Sequence, residues 1–521
     1  MYINIGNRRE VLWDDYLIDS NGTTAKLTLN KPQKKEFVYR FDKPWEETIN
    51  YPQMIKLGDE YYMYYTAVWH SDDALEPAAN DFNKEVFPVR KGICLMKGKD
   101  PLKLERINAG LFEVNGSFDN NIILIQNRVG DFEEEFDNLF VFVDDNPDCP
   151  AEQKIKAIGQ MRNHAKIFPG FRELWSFVSA DGIHFERYKK ISGGDDMHAG
   201  LFDSHNIVFY DTEAKVYKAF IRGLHLDWGI AKEAQETGYM TKAMEKDLAG
   251  FGIRDIRYME SKDFATWSVP KRLTYSDNYD YQLYTNHVQK YERAPHMYIG
   301  LPTRYTERKE WTTNFEQIGG EVNVSNRRER YRQSPRYGLA VTDNIFMCSR
   351  DGLKWNRFHD SLIGGGPEDS YNWAYGDAYM LYNVLESCDG YPGREAVYTL
   401  LAKGCDEMGN PALIRHDIRK DGFASYHSDF EVSTLITKPI IFEGTELSIN
   451  FATSPAGFVY VDILDEWDRP IDGYRSIEHF GNTLDRTVCF PDGRDLSKLS
   501  GKPIKLKFTM RSADIYSFIF R

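Results

Sequence analysis

Acidic side chains recur at the starts of successive segments of this chain, each time just before an apolar run. They are Glu46, Glu47, Asp119, Asp203 and Asp377, with Glu368 and Asp369 just ahead of the last. Carboxylates that converge from separate segments can supply one protonated acid and one ionised base or nucleophile. A partly buried charge must also be paired or lose its charge, so stability alone is a poor reason to place carboxylates together. We therefore predict catalytic roles for Glu47, Asp119, Asp203 and Glu368.

Uncharged polar and aromatic side chains accompany these acids. The predicted substrate-binding residues are Asn50, Asn121, His205, Asn206, His287, Arg304, Trp373 and Asp377. Converging carboxylates beside aromatic rings are suited to breaking a glycosidic bond, in which the acid protonates the leaving oxygen and the carboxylate attacks the sugar or activates water. The alternative for any single Asp or Asn is an Asx turn that caps a strand entrance.

A repeated turn indicates the elements that position these residues. Five Asp-centred segments, each followed by an aromatic residue or Leu, contain Asp100, Asp181, Asp263, Asp351 and, as a weaker copy, Asp421. The aspartates lie 81, 82, 88 and 70 residues apart. Asp and Gly accept the backbone angles of tight turns, and the flanking β-branched and aromatic residues favour strands. These aspartates are expected to have structural roles in outer hairpins.

The period predicts an all-β protein with a five-bladed β-propeller followed by a C-terminal β-sandwich. Each unit reads as four strands, and the units span roughly 41–110, 111–195, 196–275, 276–360 and 361–427. The strand candidate Val11–Ile18 is expected to close the ring by pairing with the last blade. After residue 428 the period stops and alternating strands follow, so the predicted domains are 1–427 and 428–521.

Two insertions interrupt the predicted units. Residues 228–250 have a helical pattern, and residues 304–336 are charged and dotted with glycine. Long loops in a compact domain are usually functional or disordered, so these two are candidates to cover the centre of a propeller.

Bulk properties exclude several classes of function. The net charge of −14 opposes binding to a phosphate backbone, so no nucleic-acid partner is expected. The six cysteines are scattered, and no metal-ligand spacing or nucleotide-binding glycine motif occurs, so neither a metal nor another cofactor is predicted. No signal peptide or long apolar run is apparent, which predicts a cytoplasmic protein without a membrane partner.

The segment from Trp45-Glu46-Glu47 to Tyr65 and the Ser-x-Asp-Gly-x-x-Phe/Trp turns resemble five-bladed glycoside hydrolases related to families 32, 43, 68 and 130. The resemblance is to a bacterial branch similar to family 32 that carries a C-terminal sandwich. It implies that acids on inner strands of successive blades are catalytic, which by position are Glu47, Asp119 and Asp203. The chain lacks the Trp-x-Asn-Asp-Pro-Asn-Gly start and the Arg-Asp-Pro motif of family 32, which argues against invertase-type activity.

Three functions follow as hypotheses. The first is a glycoside hydrolase that cleaves an oligosaccharide or a furanoside. The second is a phosphorylase similar to family 130, which would need Arg or His side chains around a phosphate, with Arg304 and His287 as candidates. The third is a propeller that binds carbohydrate without catalysis, although binding alone does not need several inner carboxylates. The sequence leaves the sugar, the linkage, the stereochemistry and the oligomeric state open.

Overall fold

The computed structural model describes residues 2–71, 89–129, 132–163, 172–192, 202–226, 252–308, 310–333, 335–369, 372–401 and 409–521. Over these ranges the protein is mostly β, with several antiparallel sheets. The predicted helical segment 228–250 lies outside the described residues.

In chain order the strands are β1 (Ile3–Gly6), β2 (Glu10–Val11), β3 (Lys26–Leu29), β4 (Gln33–Arg40), β5 (Thr48–Leu57), β6 (Glu60–His70), β7 (Val89–Gly98), β8 (Glu105–Arg106), β9 (Ile122–Ile125), β10 (Asn127–Val129), β11 (Phe132–Glu134), β12 (Phe140–Val143), β13 (Ile155–Asn163), β14 (Arg172–Ser179), β15 (Glu186–Ser192), β16 (Ile207–Asp211), β17 (Val216–Leu226), β18 (Gly252–Ser261) and β19 (Lys271–Arg272). The second half contains β20 (Thr274–Tyr275), β21 (Gln282–Leu283), β22 (Gln289–Tyr291), β23 (Ala294–Gly300), β24 (Thr303–Glu307), β25 (Ala340–Asn344), β26 (Met347–Ser349), β27 (Lys354–Arg357), β28 (Tyr379–Met380), β29 (Leu385–Glu386), β30 (Arg394–Leu401), β31 (Ala412–Arg419), β32 (Ala424–Ser428), β33 (Ser433–Ile436), β34 (Ile440–Phe442), β35 (Leu447–Leu464), β36 (Pro470–Arg475), β37 (Asn482–Thr487) and β38 (Pro503–Phe520).

Two α-helices lie within the charged segment 304–336 and just beyond it, where the sequence suggested a loop. They are α1 (Gly320–Gln333) and α2 (Pro335–Leu339). Glu321 in the first turn of α1 and Arg330 in the last turn complement the helix dipole. Arg327 fixes α1 in place, because its guanidinium donates to the carbonyl oxygens of Phe315 (3.1 Å) and Trp373 (2.9 Å). Tertiary contacts rather than an apolar stripe therefore stabilise this helix.

A four-stranded antiparallel arrangement recurs along the chain. The sets are β5-β6-β7-β8, β12-β13-β14-β15, β16-β17-β18-β19, β22-β23-β26-β27 and β28-β30-β31-β4. We refer to them as sheets one to five. Aromatic side chains fill the spaces between neighbouring sheets: Phe220 of sheet three is buried against Tyr298 and Trp355 of sheet four.

The periodic aspartates turn the chain between the third and fourth strands of sheets one to four, as the sequence predicted. In sheet four, Asp351 Oδ1 accepts from the backbone amides of Leu353 and Lys354, both at 2.8 Å. Ser349 completes the turn by donating to Asp351 Oδ1 at 3.1 Å and accepting from the Gly352 amide at 2.9 Å. Asp181 and Asp263 make equivalent bonds. These aspartates have structural roles.

The fifth sheet takes its outer strand from the beginning of the chain. β4 pairs with β31, so the strand that pairs with the last sheet is Gln33–Arg40. The prediction that Val11–Ile18 would do this is wrong, because only Glu10–Val11 of that region is a strand and it pairs with β38. The chain leaves the fifth sheet at Asp421, which explains why the fifth turn is the weakest copy.

The C-terminal strands form a ten-stranded sheet together with the N-terminus. β1, β2 and β3 pair with β34, β38 and β32, and the long strands β35 and β38 pair with each other. Alternate apolar residues of β35 and β38 form its core, where Phe442 and Phe520 stack with ring centroids 3.9 Å apart. The domain boundary at 427/428 stays a prediction, and the pairings add residues 3–29 to the C-terminal sheet.

Hydrogen bonds join the inner segments of the five sheets into a closed ring. Gln53 Nε2 of sheet one donates to Leu139 O of sheet two (2.8 Å), and Asn138 Nδ2 of sheet two donates to Ser204 O of sheet three (2.7 Å). Ser204 Oγ donates to Tyr284 O of sheet four (2.6 Å), and Val384 N of sheet five donates to Gln289 Oε1 of sheet four (3.4 Å). Tyr382 N of sheet five donates to Pro52 O of sheet one (3.0 Å), which closes the ring. Side chains that precede these inner strands therefore meet at one end of the ring.

The inner strand of sheet two differs from the expected one. The sequence placed Asp119 at its start, but β9, which begins at Ile122, pairs with β7 of sheet one. The inner strand is β12, and the residues before it are Phe136, Asp137 and Asn138.

Candidate functional site

Carboxylates, cations and tyrosines from all five sheets gather at the end of the ring where the inner strands begin. We call this group the central cluster. It consists of Tyr51, Lys91, Glu135, Asp137, Arg172, Asp203, Arg222, Arg254, Tyr284, Tyr305, Tyr375 and Tyr379.

Asp203 lies in a turn that hydrogen bonds of the Asn206 side chain hold in place. Asn206 Nδ2 donates to the carbonyl oxygens of Phe202 (2.9 Å) and Ser204 (3.0 Å), and its Oδ1 accepts from the Arg222 amide (2.9 Å). These bonds satisfy the buried amide and hold the peptide on both sides of Asp203. Asn206, predicted to bind substrate, is thus a positioning residue for Asp203.

Asp137 occupies the matching place in sheet two. Asn138 follows it, and its Nδ2 donates to the same Ser204 carbonyl oxygen at 2.7 Å. The two turns are thereby tied together, with Asp137 and Asp203 preceding neighbouring inner strands. Their side chains are 17 % and 42 % exposed, so solvent reaches both carboxylates.

Cations surround these two carboxylates. Lys91 Nζ lies 2.9 Å from Asp137 Oδ2, and Arg222 Nη1 lies 3.7 Å from Asp203 Oδ2. Burial raises the pKa of Asp203, but Arg222, Arg172 and Lys91 outweigh this and hold its pKa below the ordinary value. Asp203 is therefore ionised at neutral pH and suited to the role of base or nucleophile.

Glu135 is a buried acid that pairs with two arginines of sheet two. The Glu135 carboxylate, 1 % exposed, forms ion pairs with Arg162 (2.7 Å) and Arg172 (3.1 Å). Burial raises the pKa of Glu135, and its arginine partners lower it to about 2. Glu135 orients Arg172 and cannot serve as a proton donor near neutral pH.

Tyrosines pack against the arginines of the cluster. The hydroxyl groups of Tyr51 and Tyr284 lie 3.1 Å apart, and the rings of Tyr284 and Tyr379 stack with centroids 5.6 Å apart. Tyr375 and Tyr305 extend the group with centroids 5.6 Å apart. Burial raises the pKa values of Tyr51, Tyr284 and Tyr379 well above 10, so these phenols stay neutral and can donate hydrogen bonds.

Two histidines lie beneath Tyr51. The His205 ring lies 5.6 Å from that of Tyr51 and 5.7 Å from that of His287, and both histidines are fully buried. Burial lowers the pKa of His205 well below its ordinary value and that of His287 to about 4. Both are neutral near pH 7. His205 and His287, which the sequence predicted to bind substrate, are thus buried aromatic residues that pack next to Tyr51 of the cluster.

The segment Trp373–Ala378 connects the central cluster to a neighbouring cavity. Tyr375 belongs to the cluster, whereas Asp377 and Trp373 line a cavity of about 850 Å3 beneath the Gly364–Glu368 loop. Asp377 Oδ2 accepts from the Trp373 amide at 2.9 Å, and the indole of Trp373 donates to the Gly366 carbonyl oxygen at 2.8 Å. Burial, with a smaller contribution from Asp369, raises the pKa of Asp377 to about 6.

Three predicted catalytic acids lie on exposed segments outside the cluster. Asp119 is exposed and, among the described residues, its carboxylate makes no hydrogen bond or ion pair. Glu47 is exposed and pairs with the His70 side chain. Glu368 is exposed on the loop above the Asp377 cavity, where it accepts from the Gly319 amide at 3.3 Å. Of the four predicted catalytic residues, the structure brings Asp203 into the central cluster.

The remaining predicted binding residues have other partners. Asn121 is buried, donates to the Tyr65 hydroxyl at 2.8 Å and accepts from the Trp45 indole at 3.0 Å. Arg304 forms an ion pair with Asp343 and donates to the His359 carbonyl oxygen at 2.7 Å. Asn50 is half-buried in β5 opposite Thr66. Asn121 and Arg304 thus connect strands of their own sheets.

Asp137 is the acid that sequence reasoning missed. The dipeptide Phe-Asp occurs four times, as Phe41-Asp42, Phe118-Asp119, Phe136-Asp137 and Phe202-Asp203, and the structure matches Phe136-Asp137 with Phe202-Asp203. Asn138 follows Asp137, but Asn120 follows Asp119 in the same way, so no local signal distinguishes these two acids. The cations Lys91, Arg172, Arg222 and Arg254 carried no local motif, since they lie on second and third strands.

Within the described ranges no helix is long and apolar enough to cross a membrane. In the same part of the chain, His, Cys, Asp and Glu side chains form no group of three or more that could hold a metal ion.

No family model and no curated protein matches the chain. Solved structures do resemble it. One described as a glycoside hydrolase has a TM-score of 0.44 and 14 % identity, over 75 % of this chain and 92 % of its own. An N-acetylgalactosamine deacetylase from F. plautii, in complex with blood group B trisaccharide, has a TM-score of 0.42 and 11 % identity, over 75 % and 95 %. The α-L-arabinofuranosidase of Fusarium graminearum with arabinobiose has a TM-score of 0.38 and 9 % identity, over 76 % and 98 %.

Proposed function

We propose that this protein is a carbohydrate-active enzyme that cleaves a glycosidic bond in an oligosaccharide or furanoside at the central cluster. The observation that carries the proposal is the pair Asp137 and Asp203, two solvent-reached carboxylates that neighbouring turns hold together among tyrosine hydroxyls. A pair of carboxylates flanking one bond is the usual equipment for glycoside cleavage.

The proposed architecture supports this function. In it, sheets one to five are the blades of a five-bladed β-propeller, and the C-terminal sheet is part of a sandwich. The closed ring of hydrogen bonds and the fourfold recurrence of the Asp turn support this arrangement. A propeller brings the starts of its inner strands to one end of its axis, which is where the cluster lies.

The proposed roles follow from charge. Asp203 acts as the ionised base or nucleophile, because the cations around it hold its pKa low. Asp137, paired with Lys91, is the second carboxylate and stabilises positive charge that develops on the sugar. The proton donor is a third group. The candidates from the sequence are Glu47 and Glu368, which lie outside the cluster, Glu368 on the loop above the adjoining Asp377 cavity. The neutral hydroxyls of Tyr51 and Tyr284 bind sugar hydroxyls beside them.

Phosphorolysis is the second candidate function. The observation that favours it is the set of four cations in the central cluster, namely Lys91, Arg172, Arg222 and Arg254, because a phosphate nucleophile needs such groups. The same enzyme would then release a sugar phosphate in place of a free sugar.

The test measures release of sugar from a panel of aryl glycosides and oligosaccharides, with and without inorganic phosphate. Asp203→Asn and Asp137→Asn should each lower the rate at least about 100-fold, because they remove a charge with little change in volume. Asp119→Asn is the matched control and should keep the wild-type rate. Normal rates in both cluster variants would refute the proposed site, and release that requires phosphate would favour the phosphorylase.

A further inference from the structure

Two buried arginines of sheet three face the central cluster from the same side. Arg222 on β17 and Arg254 on β18 are each 6 % exposed. The register pairs Arg222 with Ile256 and Leu224 with Arg254, so the two arginines are diagonal neighbours on one face of the sheet. Both guanidinium groups lie over the ring of Tyr284, at 5.3 and 5.5 Å from its centroid.

Each of the other cations of the cluster forms an ion pair with a carboxylate, whereas Arg254 forms none with any residue that the structure describes. Lys91 has Asp137, Arg172 has Glu135, and Arg222 has Asp203. Arg254 Nη1 donates to the neutral Gln282 Oε1 at 2.5 Å, and within the described residues it forms no ion pair. Its guanidinium also covers the Tyr305 ring at 4.3 Å.

Both arginines keep a donor without an acceptor. The Nε atoms of Arg222 and Arg254 are buried and make no hydrogen bond in the described part of the chain. An unsatisfied buried donor is costly, and a buried charge without a partner costs more. Burial lowers the pKa of Arg254, yet its pKa is raised overall by the neighbouring tyrosines and Glu307. The guanidinium therefore keeps its charge, and among the described residues no ion pair neutralises it.

We propose that Arg254 and Arg222 form a subsite for an oxyanion bound next to Asp203. The charge of Arg254 and the unsatisfied Nε donors of two planar guanidinium groups fit one carboxylate, such as that of a uronic acid residue in the substrate. Inorganic phosphate is also an oxyanion that guanidinium groups bind, and it is the alternative ligand of this subsite. The inference rests on the proposed function for placing a sugar beside the pair, but binding of the anion does not require cleavage.

The test is titration calorimetry of the whole protein with three kinds of probe. These are oligosaccharides of galacturonic or glucuronic acid, their neutral galactose and glucose counterparts, and inorganic phosphate. We expect the wild type to bind one anionic probe at least about tenfold more tightly than the neutral sugars, because charged hydrogen bonds dominate the contact. Preference for the uronic acids assigns the subsite to the substrate, and preference for phosphate assigns it to phosphate.

Variants separate this subsite from a structural role. Arg254→Gln should lose the preference for the anion, and Arg254→Lys should recover part of it through its charge. Arg475→Gln is the control: Arg475 also lies over a tyrosine ring, that of Tyr460, but on the exposed C-terminal sheet. Without an anion, Arg254→Met should unfold at the same urea concentration as the wild type or a higher one, since it removes an unpaired buried charge.

Equal binding of neutral and anionic probes, or an unchanged anion preference in Arg254→Gln, would overturn the proposal. So would clear destabilisation of Arg254→Met, which would make Arg254 structural. Loss of cleavage in Asp203→Asn with anion binding retained would support both proposals. Anion binding in an enzyme that cleaves no glycoside would leave the subsite standing and refute the proposed function.

Discussion

At the residue scale, charge separates the candidate carboxyl groups into different roles. Asp203 is held ionised by cations, Glu135 is fully committed to two arginines, and burial raises the pKa of Asp377 to about 6. The cations beside Asp203 favour its ionised form, and Lys91 forms an ion pair with Asp137. A proton donor must instead keep its proton near neutral pH, so neither Asp203 nor Glu135 can fill this role.

The proton donor can be identified with Glu47→Gln and Glu368→Gln. Substrates with good leaving groups need little protonation, so the donor variant should keep its rate on activated aryl glycosides and lose at least about 100-fold on natural ones. The measurement is the ratio of kcat/KM for the two substrate types. A ratio that stays at the wild-type value in both variants would exclude both glutamates as donors.

At the scale of elements, the same short Asp turn joins the third and fourth strands of several sheets. Asp351 accepts two backbone amide bonds and one serine hydroxyl bond, and the same pattern recurs around Asp181 and Asp263. The turns stabilise the outer edge of each sheet, whereas the asparagines Asn138 and Asn206 fix the inner turns that carry the carboxylates. Substitutions in the outer turns should therefore change stability, and substitutions in the inner turns should change the position of the carboxylates.

Asp351→Ala should lower the free energy of unfolding by about 1–2 kcal/mol, because it removes three hydrogen bonds of a turn. Activity at saturating substrate should not change, since the turn lies at the outer edge of the sheet. Urea denaturation and a rate assay measure the two effects. Asp119→Ala is the control for stability, because its exposed carboxylate has no partner among the described residues; equal stability of the two variants would contradict a structural role for the turn.

At the scale of the whole molecule, a buried polar network connects the fifth sheet to the C-terminal sheet. Asp421 accepts from Arg293 at 2.7 Å, from the Tyr291 hydroxyl at 2.8 Å and from the Ser517 hydroxyl at 2.6 Å. Tyr291 also lies 2.8 Å from Glu395 Oε1. Burial, together with the Asp421 charge, raises the pKa of Glu395 to about 8, so Glu395 is protonated in the folded protein at neutral pH.

This network predicts a loss of stability with rising pH. The folded pKa of Glu395 lies above its unfolded value of about 4.3, so the folded state binds the extra proton and its contribution falls from about pH 4.3 to pH 8. Each unit of difference between the two pKa values corresponds to about 1.4 kcal/mol. Glu395→Gln removes this titration, and urea unfolding at pH 5 and pH 8.5 should show a smaller loss of stability in the variant than in the wild type. Identical losses in the two proteins would refute the raised pKa.

The sequence by itself determined the turns and the strand pattern of this protein. The Ser-x-Asp-Gly turns, their period and the apolar alternation after residue 428 indicated a β protein with repeated sheets, because turn preferences and strand patterns act within a few residues. The same reasoning named Asp203 as a candidate, and its turn is held by Asn206 only three residues away.

Only the tertiary structure decided which acids and bases meet. Asp119 and Asp137 follow phenylalanine in the same way, but pairing of β9 with β7 leaves the first exposed, and the Asn138 bond to Ser204 brings the second beside Asp203. β4 completes the fifth sheet, Arg254 reaches the cluster from a third strand, and β1 to β3 join the C-terminal sheet. These outcomes depend on pairings between residues far apart in the chain, and no local pattern encodes them.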